Sequence, residues 1–192
     1  MIESVDFEEI AELQKKDDWK ALDDLMVARA KSLEASGAEL IMICANTMHL
    51  CVEAIEQHTK VPIVHIAKVT ADEIKEAKLD KVALLGTKFT MEKDFFKRIL
   101  RDNAIEVIVP KEEDRNLVHE IIYKELVRGE IHMASKKTYL RIIEGLIRQG
   151  AQGIILGCTE IPLLISSKDT EIPLFNTTKI HAEKTVERSL ST

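Results

Sequence analysis

Glycine is scarce in this chain, and the few glycines do not form a phosphate-binding loop. The sequence has 7 glycines among 192 residues. They are scattered, so that neither a GxGxxG fingerprint nor a P-loop occurs. Both motifs hold phosphate on the backbone N–H groups of a glycine-rich turn that opens a helix. Their absence argues against a nucleotide cofactor.

Cysteine is also infrequent, and its number is odd. The three cysteines, Cys44, Cys51 and Cys158, cannot all pair within one chain. A disulfide framework is therefore not expected, and free thiols fit a reducing cytoplasm. The spacing of Cys44, His49 and Cys51 does not match a recognised zinc motif, and no second ligand pair is evident. We expect no metal site.

Long apolar runs and an excess of positive charge are missing as well. No apolar run approaches the roughly 20 residues of a membrane-spanning helix. The start, MIESVDFEEI, lacks the basic and then apolar pattern of a signal peptide. The 27 Lys and Arg against 33 Asp and Glu give a net charge of −6, which argues against nucleic-acid binding. We expect a cytoplasmic protein whose ligand, if anionic, is small.

What the sequence does contain is an alternation of short apolar runs with segments of helical period. This alternation is typical of an α/β fold with mostly parallel sheets. Several runs are continuously apolar, as in strands that are buried on both faces. The predicted strands are residues 39–44, 61–66, 81–85, 105–109, 153–156 and 173–175.

Helix boundaries are marked by capping residues. An apolar stripe from Trp19 to Leu33 follows two aspartates and precedes Gly37, which suits a left-handed residue at a helix end. The residues Thr70 and Glu73 have the spacing of a capping box. Further helices are predicted around residues 117–126, 140–147 and 178–190.

A cysteine lies at the end of one predicted strand and just after the end of another, and short polar residues follow each cysteine closely. These ends are Cys44-Ala45-Asn46-Thr47 and Cys158-Thr159-Glu160. Ligands of parallel sheets collect at such strand ends. A cysteine at a helix N-terminus can have its pKa lowered from about 8.5 to roughly 3.5–7.5. Asn and Thr side chains, with backbone N–H groups, are suited to hold a carboxylate.

Structural interpretations compete with these functional ones. A buried cysteine often only fills space, and we interpret Cys51 in this way. His49 is equally compatible with loop packing and with ligand contact, while Thr87 is compatible with an N-cap. Glu160 suits a helix start. Four further histidines, His65, His119, His132 and His181, are scattered and are interpreted as surface or packing residues.

Four segments together give the sequence a family resemblance. ICANTMH, LLGTKFTME, GAQGIILGCTEIPLL and PLFNTTKIHAE resemble the aspartate branch of the aspartate/glutamate racemase family. The resemblance implies two pseudo-symmetric α/β lobes with an active-site cleft between them and no cofactor. It also implies a thiolate that removes the α-proton of an acidic amino acid, while an opposed thiol returns a proton.

The resemblance also implies site residues. Cys158 is the catalytic thiol that it indicates, and Lys136 and Lys137 either neutralise a side-chain carboxylate or lie on a solvated helix face. Carboxylate contacts are implied for Asn46, Thr47, Thr87, Thr90 and Thr159.

The second thiol is less well defined. The family has its first catalytic cysteine directly before Asn-Thr, where this chain has Ala45. Cys44 is one residue too early, and strand alternation predicts that it faces the core. Two alternatives to a racemase therefore stay open: a non-catalytic homologue that binds a carboxylate ligand, and a single-cysteine decarboxylase or isomerase.

The resemblance implies a domain division. Residues 1–68 with 173–192 would form one lobe, and residues 69–172 the other. The family's first strand is predicted to be missing, with the second strand near residues 2–5. Such a lobe would leave sheet edges exposed, and we expect a homodimer to cover part of them.

Overall fold

A computed structural model describes residues 1–191, which form six strands in two parallel sheets. Strands β1 and β2 make a two-stranded sheet, and the others make a four-stranded sheet in the order β4-β3-β5-β6. The strands are β1 Ile41–Met42, β2 Ile63–Val64, β3 Lys81–Gly86, β4 Glu106–Ile108, β5 Gly153–Gly157 and β6 Leu174–Asn176. The predicted α/β class with parallel sheets is confirmed.

Helices connect the strands in the expected alternation. In chain order they are α1 Phe7–Lys15, α2 Trp19–Ala35, α3 Val52–His58, α4 Ile66–Glu76, α5 Lys88–Glu92, α6 Asp94–Asp102, α7 Glu112–Lys124, α8 Met133–Arg148, α9 Ile161–Leu164 and α10 Thr177–Leu190. Two 3-10 helices, Thr47–Cys51 and Leu126–Arg128, precede α3 and follow α7. No helix of residues 1–191 has the length and apolar character needed to cross a membrane.

All six predicted strands exist, but β1, β2 and β4 are shorter than predicted. The strand β2 stops at Val64 because His65 already caps α4 with its ring Nδ1, which accepts from Ala67 N at 3.1 Å. The expected capping box at Thr70 is therefore wrong. Thr70 lies inside α4 and donates to Ile66 O at 2.8 Å. The strand expected near residues 2–5 is not formed, since residues 1–6 have no regular structure.

The capping signals of α2 are confirmed. Asp18 accepts a hydrogen bond from Ala21 N at 3.1 Å, and Gly37 has the left-handed φ of 86°. With Leu22 fully buried, α2 packs in a core that also includes Ile41 and Ile55. This core belongs to the two-stranded sheet.

The four-stranded sheet is buried on both faces. Leu85 and Leu156 pack among residues of α7 and α8. Leu84 and Ile155, which alternate with them, pack among residues of α4 and α6. Because both faces are covered, β3 and β5 are continuously apolar, as the sequence predicts.

The last strand and helix lie where the two sheets meet. The strand β6 pairs with β5, so that Phe175 is opposite Ile155, while α10 packs against α4 and contacts β2. The division into residues 1–68 with 173–192 and residues 69–172 stays a prediction.

Candidate active site

The carboxyl ends of β3 and β5 lie side by side. Their register places Gly86 opposite Gly157, so that Thr87 and Cys158 directly follow paired residues. The turn after β1 reaches the same place, because Thr47 Oγ1 lies 3.0 Å from Thr87 Oγ1. The structure therefore brings together residues that are 40 positions apart.

Three threonine hydroxyls form a buried triangle at this point. The Oγ1 atoms of Thr47, Thr87 and Thr90 are 3.0 to 3.2 Å apart. All three residues are at least nine-tenths buried. Thr87 is also the N-cap of α5, since its hydroxyl accepts from Thr90 N at 3.3 Å. Hydroxyl groups rotate, so this cluster can turn its O–H donors toward a carboxylate.

Asn46 joins the first turn to the end of β5 and has one unsatisfied atom. Its Nδ2 donates to Thr177 Oγ1 at 3.1 Å, and that hydroxyl donates to Leu156 O at 2.8 Å. Asn46 is 4% exposed, and within residues 1–191 its Oδ1 has no hydrogen-bond partner. A buried acceptor without a donor is costly, and a bound ligand is one way to satisfy it. Sequence reasoning missed Thr177, although it lies in the FNTT motif.

Two glycines, Gly86 and Gly157, allow the ends of β3 and β5 to pack closely against each other and against Thr90. A Cβ at Gly157 would lie 2.8 Å from Leu85 O, and one at Gly86 would lie 2.7 Å from Gly157 O. Thr90 packs directly above, with its Cγ2 3.1 Å from the Gly86 position. The glycines are therefore required by close packing of the two strands and Thr90.

Cys158 is buried in the core of the four-stranded sheet, with 7% of its surface exposed. Its Sγ donates to Glu160 Oε2 at 2.9 Å. Burial raises the pKa of the thiol well above its usual range, and the carboxylate of Glu160 raises it further, while the N–H groups of Glu160 and Thr159 act in the opposite sense. The expected lowering is thus wrong, because burial and Glu160 outweigh the amides that precede the four-residue helix α9. Thr159 itself is half-buried.

Cys44 has the opposite environment. The prediction that it faces the core is wrong, since Cys44 is exposed. Ile41 and Ile43 take the buried positions, and alternation turns Cys44 outward. Ala45, which follows, packs against the core of the two-stranded sheet. Cys51 is fully buried there, consistent with its structural interpretation.

A cluster of three buried histidines supports the first turn. The ring of His49 lies 4.8 Å from that of His65 and 5.3 Å from that of His181. His49 Nδ1 contacts Ala45 O at 2.8 Å, and its Nε2 accepts from Ile66 N at 3.1 Å. These contacts fix His49 as a neutral ring that donates to Ala45.

Burial is the main cause of lowered pKa values in this cluster. It lowers the pKa of His49 to about 3 and that of His65 to about 4. His181 Nε2 contacts Val64 O at 2.6 Å. The sequence spacing of these residues gave no sign of the cluster. Within residues 1–191 no group of His, Cys, Asp or Glu side chains is arranged to hold a metal ion.

Helix α1 reaches across the site to α7. Gln14 donates to Met48 Sδ at 3.4 Å and accepts from the Tyr123 hydroxyl at 3.0 Å. Burial, followed by the charges of Cys158 and Glu160, raises the pKa of Tyr123 to about 12. Tyr123 therefore stays a neutral donor close to the buried thiol.

The lysines considered for a side-chain carboxylate are not assembled with these residues. Lys136 forms an ion pair with Asp169 at 2.7 Å, and Lys137 is exposed. A separate cavity of about 720 Å³ lies between α7 and α8 and is lined by Arg115, Arg141 and other residues. Arg115 is paired with Glu92, and Arg141 is paired with Asp114.

Comparisons with known proteins show the family to which the chain belongs. The Asp/Glu/Hydantoin racemase family matches residues 1–185. The broad specificity amino-acid racemase RacX of Bacillus subtilis is 29% identical over 84% of this chain and 70% of its own length. A glutamate racemase of Helicobacter pylori is 27% identical over 65% of this chain and 48% of its own.

Solved structures agree. A crystal structure from Yersinia pestis, assigned as an Asp/Glu racemase, has a TM-score of 0.91 and 46% identity, covering 99% of this chain and 83% of its own. An aspartate racemase homologue from Pyrococcus horikoshii has a TM-score of 0.83 and 37% identity, covering 97% and 81%. The two-lobed racemase fold is thus shared, and the chain belongs to the Asp/Glu/hydantoin racemase family.

Proposed function

We propose that this protein is a cofactor-independent racemase of aspartate or a similar acidic amino acid, in which Cys158 exchanges the α-proton. Family membership and the similarity to an amino-acid racemase and to an aspartate racemase homologue support racemase chemistry. The observation that carries the proposal is the pairing of Gly86 with Gly157, which brings Cys158 to the same sheet edge as the threonine triangle.

The polar groups at this edge match an amino acid. The hydroxyls of Thr47, Thr87 and Thr90 can donate to a carboxylate, and Thr159 is proposed to assist them. The unsatisfied Oδ1 of Asn46 is an acceptor for the substrate ammonium. A ligand that brings both groups satisfies the buried donors and the buried acceptor at once.

The raised pKa of Cys158 suits a difficult proton transfer. An α-proton beside a carboxylate is very weakly acidic, so a strong base is needed once the substrate is in contact and water is excluded. A thiolate formed against a high pKa is a stronger base than an ordinary thiolate, although it is rarer. Charge that develops on the carboxylate would be stabilised by the threonine hydroxyls.

Racemisation also needs a proton carrier on the opposite face. Cys44 stays the predicted candidate, although it is exposed in this structure. Ala45, at the position where the family has cysteine, favours a second candidate function: a homologue that binds a carboxylate ligand without racemising it, or a single-cysteine decarboxylase or isomerase. Such proteins would need only the Cys158 side of the site.

Optical rotation of L- and D-aspartate, combined with deuterium uptake at Cα, tests the proposal. We expect Cys158→Ala to lower both rates by roughly 100-fold or more, as for loss of an acid or base. Cys51→Ala is the matched control, a thiol buried in the core of the two-stranded sheet, and should keep both activities. Equal turnover of wild type and Cys158→Ala would refute the proposal.

Other outcomes separate the alternatives. Binding of aspartate without deuterium uptake would indicate a silent homologue, and carbon dioxide release would indicate a decarboxylase. Uptake that persists in Cys44→Ala while racemisation is lost would identify Cys44 as the second carrier. Faster turnover of neutral or basic amino acids than of aspartate and glutamate would contradict the acidic substrate class.

A further inference from the structure

The hydroxyl of Thr177 links Asn46 to the end of β5. Thr177 is the first residue of α10 and is fully buried. The register of β5 with β6 pairs Leu156 with Asn176, so that Thr177 directly follows a residue paired with the end of β5. Its Oγ1 lies 2.8 Å from Leu156 O and 3.1 Å from Asn46 Nδ2. A side chain of the last helix is thus built into the contact between the two strand ends.

The single proton of this hydroxyl determines the orientation of the Asn46 amide. A carbonyl oxygen carries no proton, so the hydroxyl of Thr177 must donate its own proton to Leu156 O. Toward Asn46 the hydroxyl oxygen can then only accept, and the atom that faces it must be the NH2 nitrogen. Oδ1 and Nδ2 belong to one planar amide. Holding Nδ2 on Thr177 therefore also fixes the direction of Oδ1.

We propose that Thr177 is a positioning residue that holds the Asn46 amide with its oxygen, and not its nitrogen, toward the ligand. This inference deepens the proposed function and rests on it for the identity of the ligand. A fixed acceptor recognises a group that donates hydrogen bonds, such as the ammonium of an amino acid. It disfavours a group that only accepts, such as the carbonyl of a 2-oxo acid, because the two oxygens repel each other. Thr177 thereby selects amino acids over the corresponding oxo acids.

The unsatisfied Oδ1 supports this assignment. Asn46 is 4% exposed, and among residues 1–191 its Oδ1 finds no hydrogen-bond donor. If the amide were turned over, Oδ1 would face the accepting oxygen of Thr177, and the buried NH2 group would lose its acceptor. Asn46 also directly precedes Thr47, whose hydroxyl lies 3.0 Å from that of Thr87. Adjacent residues thus carry the acceptor and a donor that the ammonium and the carboxylate of an amino acid require.

A purely structural role for Thr177 predicts a different result. If the hydroxyl only stabilises the packing of α10 on β5, its loss should weaken the binding of all ligands alike or lower stability alone. If the hydroxyl fixes the amide, its loss should weaken only the binding of ligands that carry a hydrogen-bond donor at Cα. Succinate separates the two roles, because it keeps both carboxylates of aspartate but lacks the ammonium group.

The test compares wild type with Thr177→Val, which keeps the shape of the side chain without the hydroxyl. In calorimetric titrations, Thr177→Val should bind aspartate about tenfold more weakly, as for one lost hydrogen bond, and should bind succinate as wild type does. In deuterium uptake at Cα of aspartate, KM should rise with little change in kcat, since the ammonium is held equally in the ground and transition states. Thr177→Ser keeps the hydroxyl and should behave as wild type. Thr178→Val, at the exposed neighbouring threonine, is the matched control and should change neither ligand's binding.

Wild-type protein supplies a measurement that does not depend on the folding of a variant. It should bind aspartate more tightly than succinate, and succinate more tightly than freshly dissolved oxaloacetate, whose carbonyl oxygen would face Oδ1 of Asn46. Circular dichroism confirms that each variant is folded.

Three outcomes would overturn the inference. The first is an equal loss of aspartate and succinate binding in Thr177→Val, which would leave Thr177 a structural role only. The second is unchanged aspartate binding in that variant. The third is tighter binding of oxaloacetate than of succinate by wild type, which would mean that the nitrogen of Asn46 faces the ligand. Wild-type protein that prefers aspartate to succinate but exchanges no α-proton would instead remove the proposed function and leave the orientation of Asn46 in place.

Discussion

The two cysteine-bearing strand ends have nearly the same sequence pattern but very different surroundings. Each is an apolar run followed by cysteine, a small residue and a helical turn. Strand β1 has two residues and pairs with β2, whereas β5 has five residues and lies between β3 and β6. Cys44 is consequently exposed, while Cys158 is buried beside a carboxylate. The strands and helices that pack around a strand, more than its own sequence, determine whether the cysteine at its end is buried and which groups it contacts.

The two ends are also supported by different physical means. The end of β1 is held from behind by neutral imidazoles, with His49 linking Ala45 O to Ile66 N. The end of β5 is held by close backbone packing, which Gly86 and Gly157 permit. Polar contacts that depend on protonation therefore support one end, and steric fit supports the other. We therefore expect the end of β1 to be sensitive to pH and the end of β5 to be sensitive to substitutions that add volume.

The largest expected effect is the difference in thiol accessibility. Alkylation needs contact between reagent and thiolate, so that iodoacetamide should modify Cys44 at least roughly 100-fold faster than Cys158 in the folded protein. Peptide mass spectrometry after timed quenching measures the two rates. Cys51, which is fully buried, is the internal control and should be protected like Cys158. Comparable rates at Cys44 and Cys158 would show that the two ends are alike in solution.

Local signals in the sequence predicted much of this arrangement. Continuous apolar runs identified β3 and β5, Asp18 and Gly37 marked the ends of α2, and Thr87 caps α5. These features depend on neighbours along the chain. The resemblance to a racemase family pointed to Thr47 and the other site threonines, but no local signal showed that their hydroxyls would touch.

What the sequence could not supply depends on contacts between distant segments. The direction of the Cys158 pKa shift follows from burial and from the conformation of Glu160, neither of which has a local signature. The side to which Cys44 points depends on which residues of β1 enter the core. The histidine cluster joins positions 49, 65 and 181, whose spacing has no periodicity. Sequence patterns therefore predict helices and strands more readily than they predict which faces of those elements pack together.

A glycine substitution tests the steric support of β5. A Cβ at Gly157 would lie 2.8 Å from Leu85 O, so one strand has to shift. We expect Gly157→Ala to lower the free energy of unfolding by about 1–3 kcal/mol, as overpacking does, and to reduce activity because the threonine triangle moves. Urea denaturation measures this change.

Gly145, inside α8, is the matched glycine control. A Cβ there meets nothing closer than the Arg148 side chain at 3.9 Å. Gly145→Ala should therefore raise the free energy of unfolding by about 0.5–1 kcal/mol through helix propensity. If both substitutions destabilise equally, close packing at the strand end is not what Gly157 provides.

The smallest expected effect concerns the imidazoles behind the end of β1. His49 has its pKa lowered from 6.5 to about 3 by burial and by neighbouring histidines. Between these values the unfolded chain binds a proton that the folded protein excludes, so stability is highest above pH 6.5 and falls as the pH is lowered. Over one pH unit below 6.5, this one residue should cost about 1 kcal/mol of unfolding free energy.

Urea denaturation at pH 7.0 and 5.5 isolates that contribution. Glutamine keeps polar atoms but does not titrate. Between pH 7.0 and 5.5, the free energy of unfolding of His49→Gln should therefore fall by about 1 kcal/mol less than that of wild type, whatever the stability of the variant at pH 7. His132, which is exposed, serves as the control for the substitution itself, as His132→Gln. An identical pH dependence in His49→Gln and wild type would mean that His49 is hydrated or already protonated. The end of β1 would then not be supported by a neutral imidazole, and this difference from the end of β5 would not hold.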